Sequence, residues 1–134
     1  MKSLLVVLLF VSLIVLGDQV AFSALESRAL PECSISTNCV RIDWAVEESN
    51  ESFQEVVEIV ASTKRTKIVE KNDRYMHAEV TSRLMHYVDD LEIMILADSS
   101  TLQIRSASRV GIGDLGVNRK RVVNLLNLLQ AASG

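Results

Sequence analysis

Three groups of side chains in this sequence have the types and spacing to do chemistry. The first lies in "RSASRVGIGDLGVNRKR", residues 105–121, where Gly111, Gly113 and Gly116 match the G-x-G-x-x-G spacing that cradles a dinucleotide pyrophosphate. The same stretch gathers Arg105, Arg109, Arg119, Lys120 and Arg121, with Ser106, Ser108 and Asn118 beside them. Such a set could hold a small anion, or a partner's carboxylate, at the start of a helix. The second group is His77 and Glu79, two residues apart and so on one side of a strand, where they could serve a hydrolase as base and orienter. The third is Cys33 and Cys39 in "CSISTNC", either a disulfide or, with Cys39 beside His77, a thiol nucleophile. Their spacing is not that of a zinc knuckle and both histidines lie far downstream, so neither metal nor cofactor is expected.

The elements that must position these groups follow from apolar periodicity. In "VRIDWAV" (residues 40–46) Val40, Ile42, Trp44 and Val46 alternate with Arg41, Asp43 and Ala45, which predicts a strand with one buried face. Phe53, Val56, Val57, Val60 and Ala61 then recur at helical spacing, with Ser49 or Asn50 as the expected cap and Glu51 in the first turn. Glu47, Glu51, Glu55 and Glu58 form an acidic stripe read as solvated surface. Asn72-Asp73 marks a turn between two strands, the second of which puts Tyr75, His77, Glu79 and Thr81 on one face and Met76, Ala78 and Val80 on the other. Asp98-Ser99-Ser100 closes a second hairpin that aligns Leu91, Ile93 and Ile95 with Leu102 and Ile104. A last helix is expected over about 118–130, capped by Asn118, with Val122, Leu125, Leu126 and Leu129 on one stripe. The order predicts an α+β fold: a two-layer, mostly antiparallel sheet with two helices on one face and the other face open.

Within that frame the glycines do not make a dinucleotide site. No strand follows the helix they precede, no acidic residue stands about 20 positions on, and Asp114 inside the motif would repel a phosphate. The basic residues pose the sharper problem, because they crowd a helix start where the dipole already leaves positive partial charge. Either internal carboxylates (Asp89, Asp90, Asp114) neutralise them or an external anion does, and charge clusters are more often structural networks than sites. Asp89 falls in line with Leu91 and Ile93, towards the core, and a buried carboxylate needs a partner, expected to be Arg109 or Arg119. Asp90 and Glu92 fall on the open face with His77, Glu79 and Arg105. Asp89 and Asp90 point to opposite faces and therefore cannot form a catalytic pair.

The 134 residues, 49% hydrophobic and 23% charged, fit one small domain and exclude a disordered chain. A net charge of −3 argues against a nucleic-acid partner. Lys2 precedes the apolar stretch 4–16, too short for the roughly 20 residues of a membrane span but suited to a signal peptide, with Ala21-Phe22-Ser23 as its cleavage site. Residues 1–23 are thus expected to be a signal peptide or an uncleaved anchor, 24–37 a lead-in carrying Cys33, and 38–132 the domain. The chain is expected to be exported, to a periplasm, to the outside of the cell or to a plastid lumen. In an oxidising compartment Cys33 and Cys39 are most simply a disulfide, and membrane contact is expected only through an uncleaved leader.

"NCV" (38–40), "YMHAEVTSRLMHYVDDLEI" (75–93) and "IRSASRVGIGDLGVNRKRV" (104–122) resemble the family catalogued as domain of unknown function 1499, found in bacteria and plastid-bearing eukaryotes. The likeness runs from about Cys33 to Leu129, although the family's usual "CP-x-SPNC" is "CSISTNC" here. Asn38, His77, Glu79, Ser82, Asp89, Asp90, Arg105, Ser106, Ser108, Arg109, Asp114, Asn118 and Arg119 match motif positions. The resemblance implies a fold and a patch, and no activity. The leading expectation is a non-enzymatic exported domain that binds an unknown protein or a small anionic ligand at the edge formed by Arg105, Ser106, Ser108, Arg109, Asn118, Arg119 and Arg121. The alternatives are a hydrolase using His77 with Glu79 or Cys39, and a purely structural envelope protein.

Overall fold

A computed structural model describes residues 29–134; the expected signal peptide or anchor, 1–23, lies outside the described residues. Strand β1 (Cys39–Ala45) leads into helix α1 (Ser49–Ser62), followed by β2 (Thr66–Lys71), β3 (Tyr75–Thr81), β4 (Val88–Ile95), β5 (Thr101–Ser108) and helix α2 (Val117–Ala132). The five strands form one sheet in the order β1-β5-β4-β3-β2, antiparallel throughout. Helix α1 carries the chain from one edge to the other, the β2-to-β5 meander brings it back, and β5 closes the sheet against β1.

Period-two patterning decides which face is covered. Met76, Ala78, Leu91, Ile93, Ile95, Leu102 and Ile104 point to one side, where Phe53, Val56 and Val60 of α1 and Val122, Leu125 and Leu129 of α2 meet them in a single core. Burying a side chain of this kind stabilises by about 1.5–3 kcal/mol. Among the described residues every core side chain and both cysteines lie within 30–129, and the core packs as one cluster. The fold is α+β, with both helices on one face, as the sequence predicts.

Three details depart from the sequence reading. Neither Ser49 nor Asn50 caps α1: Glu48 occupies the cap position without a side-chain hydrogen bond, and Ser49 lies inside the helix, buried. Helix α2 begins after Gly116, whose left-handed backbone (φ 80°) is the conformation glycine adopts freely, so Asn118 is not the cap. The uncovered sheet face is also not wholly open. Leu30, 3% exposed, donates its N–H to Gln103 Oε1 at 2.7 Å and accepts from Arg41 Nη1 at 2.8 Å, which lays the lead-in over the β1–β5 part of that face.

The Cys33–Cys39 disulfide ties this lead-in to the first residue of β1. Closing so short a loop removes about 2 kcal/mol of unfolded-state freedom. Cys33→Ser with Cys39→Ser should therefore lower the urea unfolding free energy of the oxidised protein by about 2 kcal/mol with little change in slope. Equal stability of the oxidised and double-variant chains would contradict a constraining role.

Candidate functional site

Where α2 lands on the sheet, a polar junction interrupts the apolar core. Ser106 of β5 faces inward opposite Val40, and both Ser106 and Asn118 are fully buried. Ser106 Oγ donates to Asn118 Oδ1 at 2.7 Å, and Arg121 Nη1 donates to both oxygens at 2.8 Å. The Asn118 amide nitrogen shares its two protons among Asp114 Oδ2 (2.6 Å), Ser108 Oγ (2.8 Å) and the Asn38 carbonyl (3.1 Å). Arg121 Nη2 completes the chain on Asp89 Oδ2 at 2.7 Å. One side chain thus joins the segment before β1, β5, α2 and the glycine-rich loop. Buried polar groups that find partners on this scale fix a register.

Asp114 organises the loop itself. Its carboxylate accepts from the backbone N–H of Gly116 (2.8 Å) and of Asn118 (3.0 Å), taking up donors that the helix start would otherwise leave unpaired. Partial burial works against its charge, but the Asn118 and Gly116 hydrogen bonds outweigh that and hold the carboxyl below the usual aspartate range. Asn38 donates to the Gly111 carbonyl at 2.6 Å, Thr37 donates its hydroxyl to the Ile112 carbonyl, and Asp114 N–H donates to the Thr37 carbonyl at 3.1 Å. The disulfide loop and the glycine-rich loop are therefore sewn together.

On the uncovered face a second network runs across β3, β4 and β5. His77 Nε2 meets Asp90 Oδ1 at 2.7 Å, and Arg109 donates to both Asp90 oxygens (2.7 and 3.0 Å) and to Glu79 Oε1 (2.8 Å). The Arg109 guanidinium, helped by His77 and opposed by burial, holds the Asp90 carboxyl low; the same pairing raises Arg109. Beside it, Tyr75 donates its hydroxyl to Glu92 Oε2 at 2.9 Å and Arg105 Nη1 donates to Glu92 Oε1 at 2.8 Å. Burial, then the Glu92 carboxylate, pushes the Tyr75 hydroxyl well above its ordinary value. The Arg105 Nε–H is buried and finds no acceptor among the described residues.

These contacts correct the expected pairings. Asp89 is met by Arg121, not by Arg109 or Arg119. Arg109 follows β5 on the opposite face from Asp89, and Arg119 lies two residues from Arg121, about 200° around the helix. Asp114 bonds to no arginine, because its oxygens are taken by Asn118 and Gly116. His77 and Glu79 are not bonded to each other: His77 meets Asp90 and Glu79 accepts from Arg109. Residues two apart along a strand stand about 6.5 Å apart, whereas Asp90 and Arg109 reach across from neighbouring strands. Cys39 is disulfide-bonded and has no thiol to attack with.

The candidate edge therefore divides. Ser106, Ser108, Asn118 and Arg121 belong to the buried junction; Arg105 and Arg109 belong to the ion network on the other face. Arg119 is exposed and lines a groove of about 360 Å³ between the disulfide loop and the glycine-rich loop, with Ser36, Thr37, Gly113 and Gly116 among its walls. Among the described residues no cluster of His, Cys, Asp and Glu is arranged to hold a metal, and no helix is long and apolar enough to cross a membrane.

Arg121→Ala strands the carboxylate of Asp89, whose side chain is 10% exposed, and should cost about 3–5 kcal/mol in urea unfolding; a loss under 1 kcal/mol would show that this pair is not what seats α2. The lowered carboxyls also set an acid limit. Asp90 and Asp114 contribute stability above about pH 4, their ordinary range, and that contribution fades as pH falls through their depressed folded values. Urea midpoints should hold steady from neutrality to about pH 5 and then drop, with a shallower acid slope in Asp90→Asn; equal slopes would remove Asp90 from the explanation.

No curated protein is matched by this chain. The family model described as Protein of unknown function (DUF1499) matches residues 23–129, a span that takes in the disulfide, the sheet, the buried junction and nearly all of α2, and the chain belongs to that family.

Proposed function

We propose that this protein is an exported, non-enzymatic binding domain that takes an anionic group into the groove between its disulfide loop and its glycine-rich loop, with Arg119 supplying the charge. One observation carries this reading. Of the four arginines in the 105–121 stretch, Arg105, Arg109 and Arg121 are each paired with a carboxylate, and Arg119 makes no ion pair or hydrogen bond among the described residues while lining the groove. A cation in the first turn of a helix is locally unfavourable, and an incoming anion would offset it. Asp114, the carboxylate in the groove wall, has both oxygens turned to donors of its own loop. Export is supported by the Cys33–Cys39 disulfide and by the apolar leader at 4–16. The three internally paired arginines favour a second reading, a scaffold with no ligand.

The test is titration of inorganic phosphate and sulfate into residues 29–134, followed by amide chemical shifts. The expected result is saturable shifts at Gly113, Gly116 and Arg119, weakened about tenfold or more by Arg119→Ala, as befits loss of a charge-assisted hydrogen bond. Absence of saturable shifts would hand the loop to the scaffold reading.

A further inference from the structure

The strand register collects four loops at one end of the sheet. Thr81↔Val88, Asp89↔Ser108, Cys39↔Ala107 and Thr66↔Val80 place residues 33–38, 63–65, 82–87 and 109–116 side by side. Across five strands this end is about 19 Å wide. It carries most of the exposed large apolar side chains of the described residues. Leu84 (84%), Met85 (64%), Ile112 (79%) and Leu115 (104%) stand furthest out, with Tyr87 half exposed. The opposite end, made by the connections 46–48, 72–74 and 96–100, exposes no large apolar side chain among the described residues.

Charge is sorted along the same axis. The apolar end bears exposed Lys64, Arg65, Arg83, Arg119 and Lys120, while its aspartates are engaged: Asp89 by Arg121, Asp90 by Arg109, Asp114 by its own loop. The opposite end bears Glu47, Glu48, Asp73 and Asp98 against Lys71 and Arg74, and the chain as a whole carries −3. Leu115 adds a third observation. It keeps a left-handed backbone (φ 55°) that L-residues rarely adopt, with its side chain wholly in solvent. The hydrogen bonds that Asp114 accepts from Gly116 and Asn118 hold the backbone in this shape and keep the Leu115 side chain displayed.

We infer that this end of the sheet docks onto an anionic membrane surface, with Leu84, Met85, Ile112 and Leu115 entering the interface from two separate loops. A lipid interface accepts disjoint apolar tips, whereas a protein partner calls for one contiguous patch. The ring of cations complements anionic headgroups, and Tyr87 has the amphipathic ring that settles at headgroup level. This departs from the expectation that any membrane contact runs through the leader, and it shares Leu115 and Arg119 with the groove reading.

Residues 29–134 should sediment with phosphatidylcholine–phosphatidylglycerol vesicles, stay in solution with phosphatidylcholine alone, and be released by high salt. Leu84→Asp combined with Leu115→Asp should lower the partition coefficient by about tenfold or more, and Arg83→Ala by about fivefold, each with an unchanged urea midpoint because these side chains are exposed. Failure to sediment with anionic vesicles, sedimentation that the double aspartate variant retains, or loop-tip-dependent dimerisation without vesicle binding would overturn the inference. Phosphate binding lost in Arg119→Ala, without vesicle binding, overturns docking and leaves the groove reading standing. Vesicle binding without phosphate binding does the reverse.

Discussion

The architecture turns on one buried carboxamide. Asn118 is completely enclosed, and an enclosed amide left without partners costs about 1–3 kcal/mol. Here it is satisfied only when Ser106, Ser108, Asp114, the Asn38 carbonyl and Arg121 all arrive together. Those groups come from β5, from the segment before β1, from the glycine-rich loop and from α2. The apolar stripe of α2 would tolerate small rotations and slides against the sheet. The amide does not, because a shift of one residue leaves several buried donors and acceptors unpaired. Arg121 extends the same constraint to β4 through Asp89, so the helix is keyed to two strands and to the segment before β1 by polar contacts inside an apolar layer.

That constraint explains why a motif so rich in cations is not itself a cationic site. The residues were recruited to different faces. Arg121 neutralises a carboxylate beneath the helix, Arg109 and Arg105 neutralise carboxylates above the sheet, and among these four only Arg119 has no carboxylate partner among the described residues. The open-face network has the outline of a dyad, His77 on Asp90, but Arg109 already occupies both Asp90 oxygens and, among the described residues, no hydroxyl or thiol is bonded to the imidazole. Its geometry is that of cross-strand pairs holding three strands in register.

Much of this was legible in the sequence because it is local. Period-two alternation assigned the faces of β1, β3, β4 and β5; Asn72-Asp73 and Asp98-Ser99-Ser100 marked the hairpin turns; the direction of Asp89 followed from its place beside Leu91 and Ile93. What escaped depends on relations between elements. The partner of Asp89 hinges on the rotation of α2 about its axis, which no spacing inside that helix reports. Asn118 resembles a cap in sequence, yet Asp114 takes the capping role and frees it to turn inward. Leu30, alone beside Pro31, offers no periodicity, so its burial over the sheet through Gln103 and Arg41 left no local trace.

The junction and the loop tips are two sides of one arrangement. Residues 109–116 carry Ile112 and Leu115 outward while Asp114, set between them, is drawn inward by Asn118 and Gly116. The Thr37 and Asn38 contacts hold the other flank of the loop to the disulfide segment. A loop anchored at so many points keeps its apolar residues displayed rather than letting them fold back onto the domain, where their burial would be favourable. Rigidity beneath and exposure above are therefore coupled. The polar core that keys α2 to the sheet also keeps the domain from hiding the surface that the proposed docking would use.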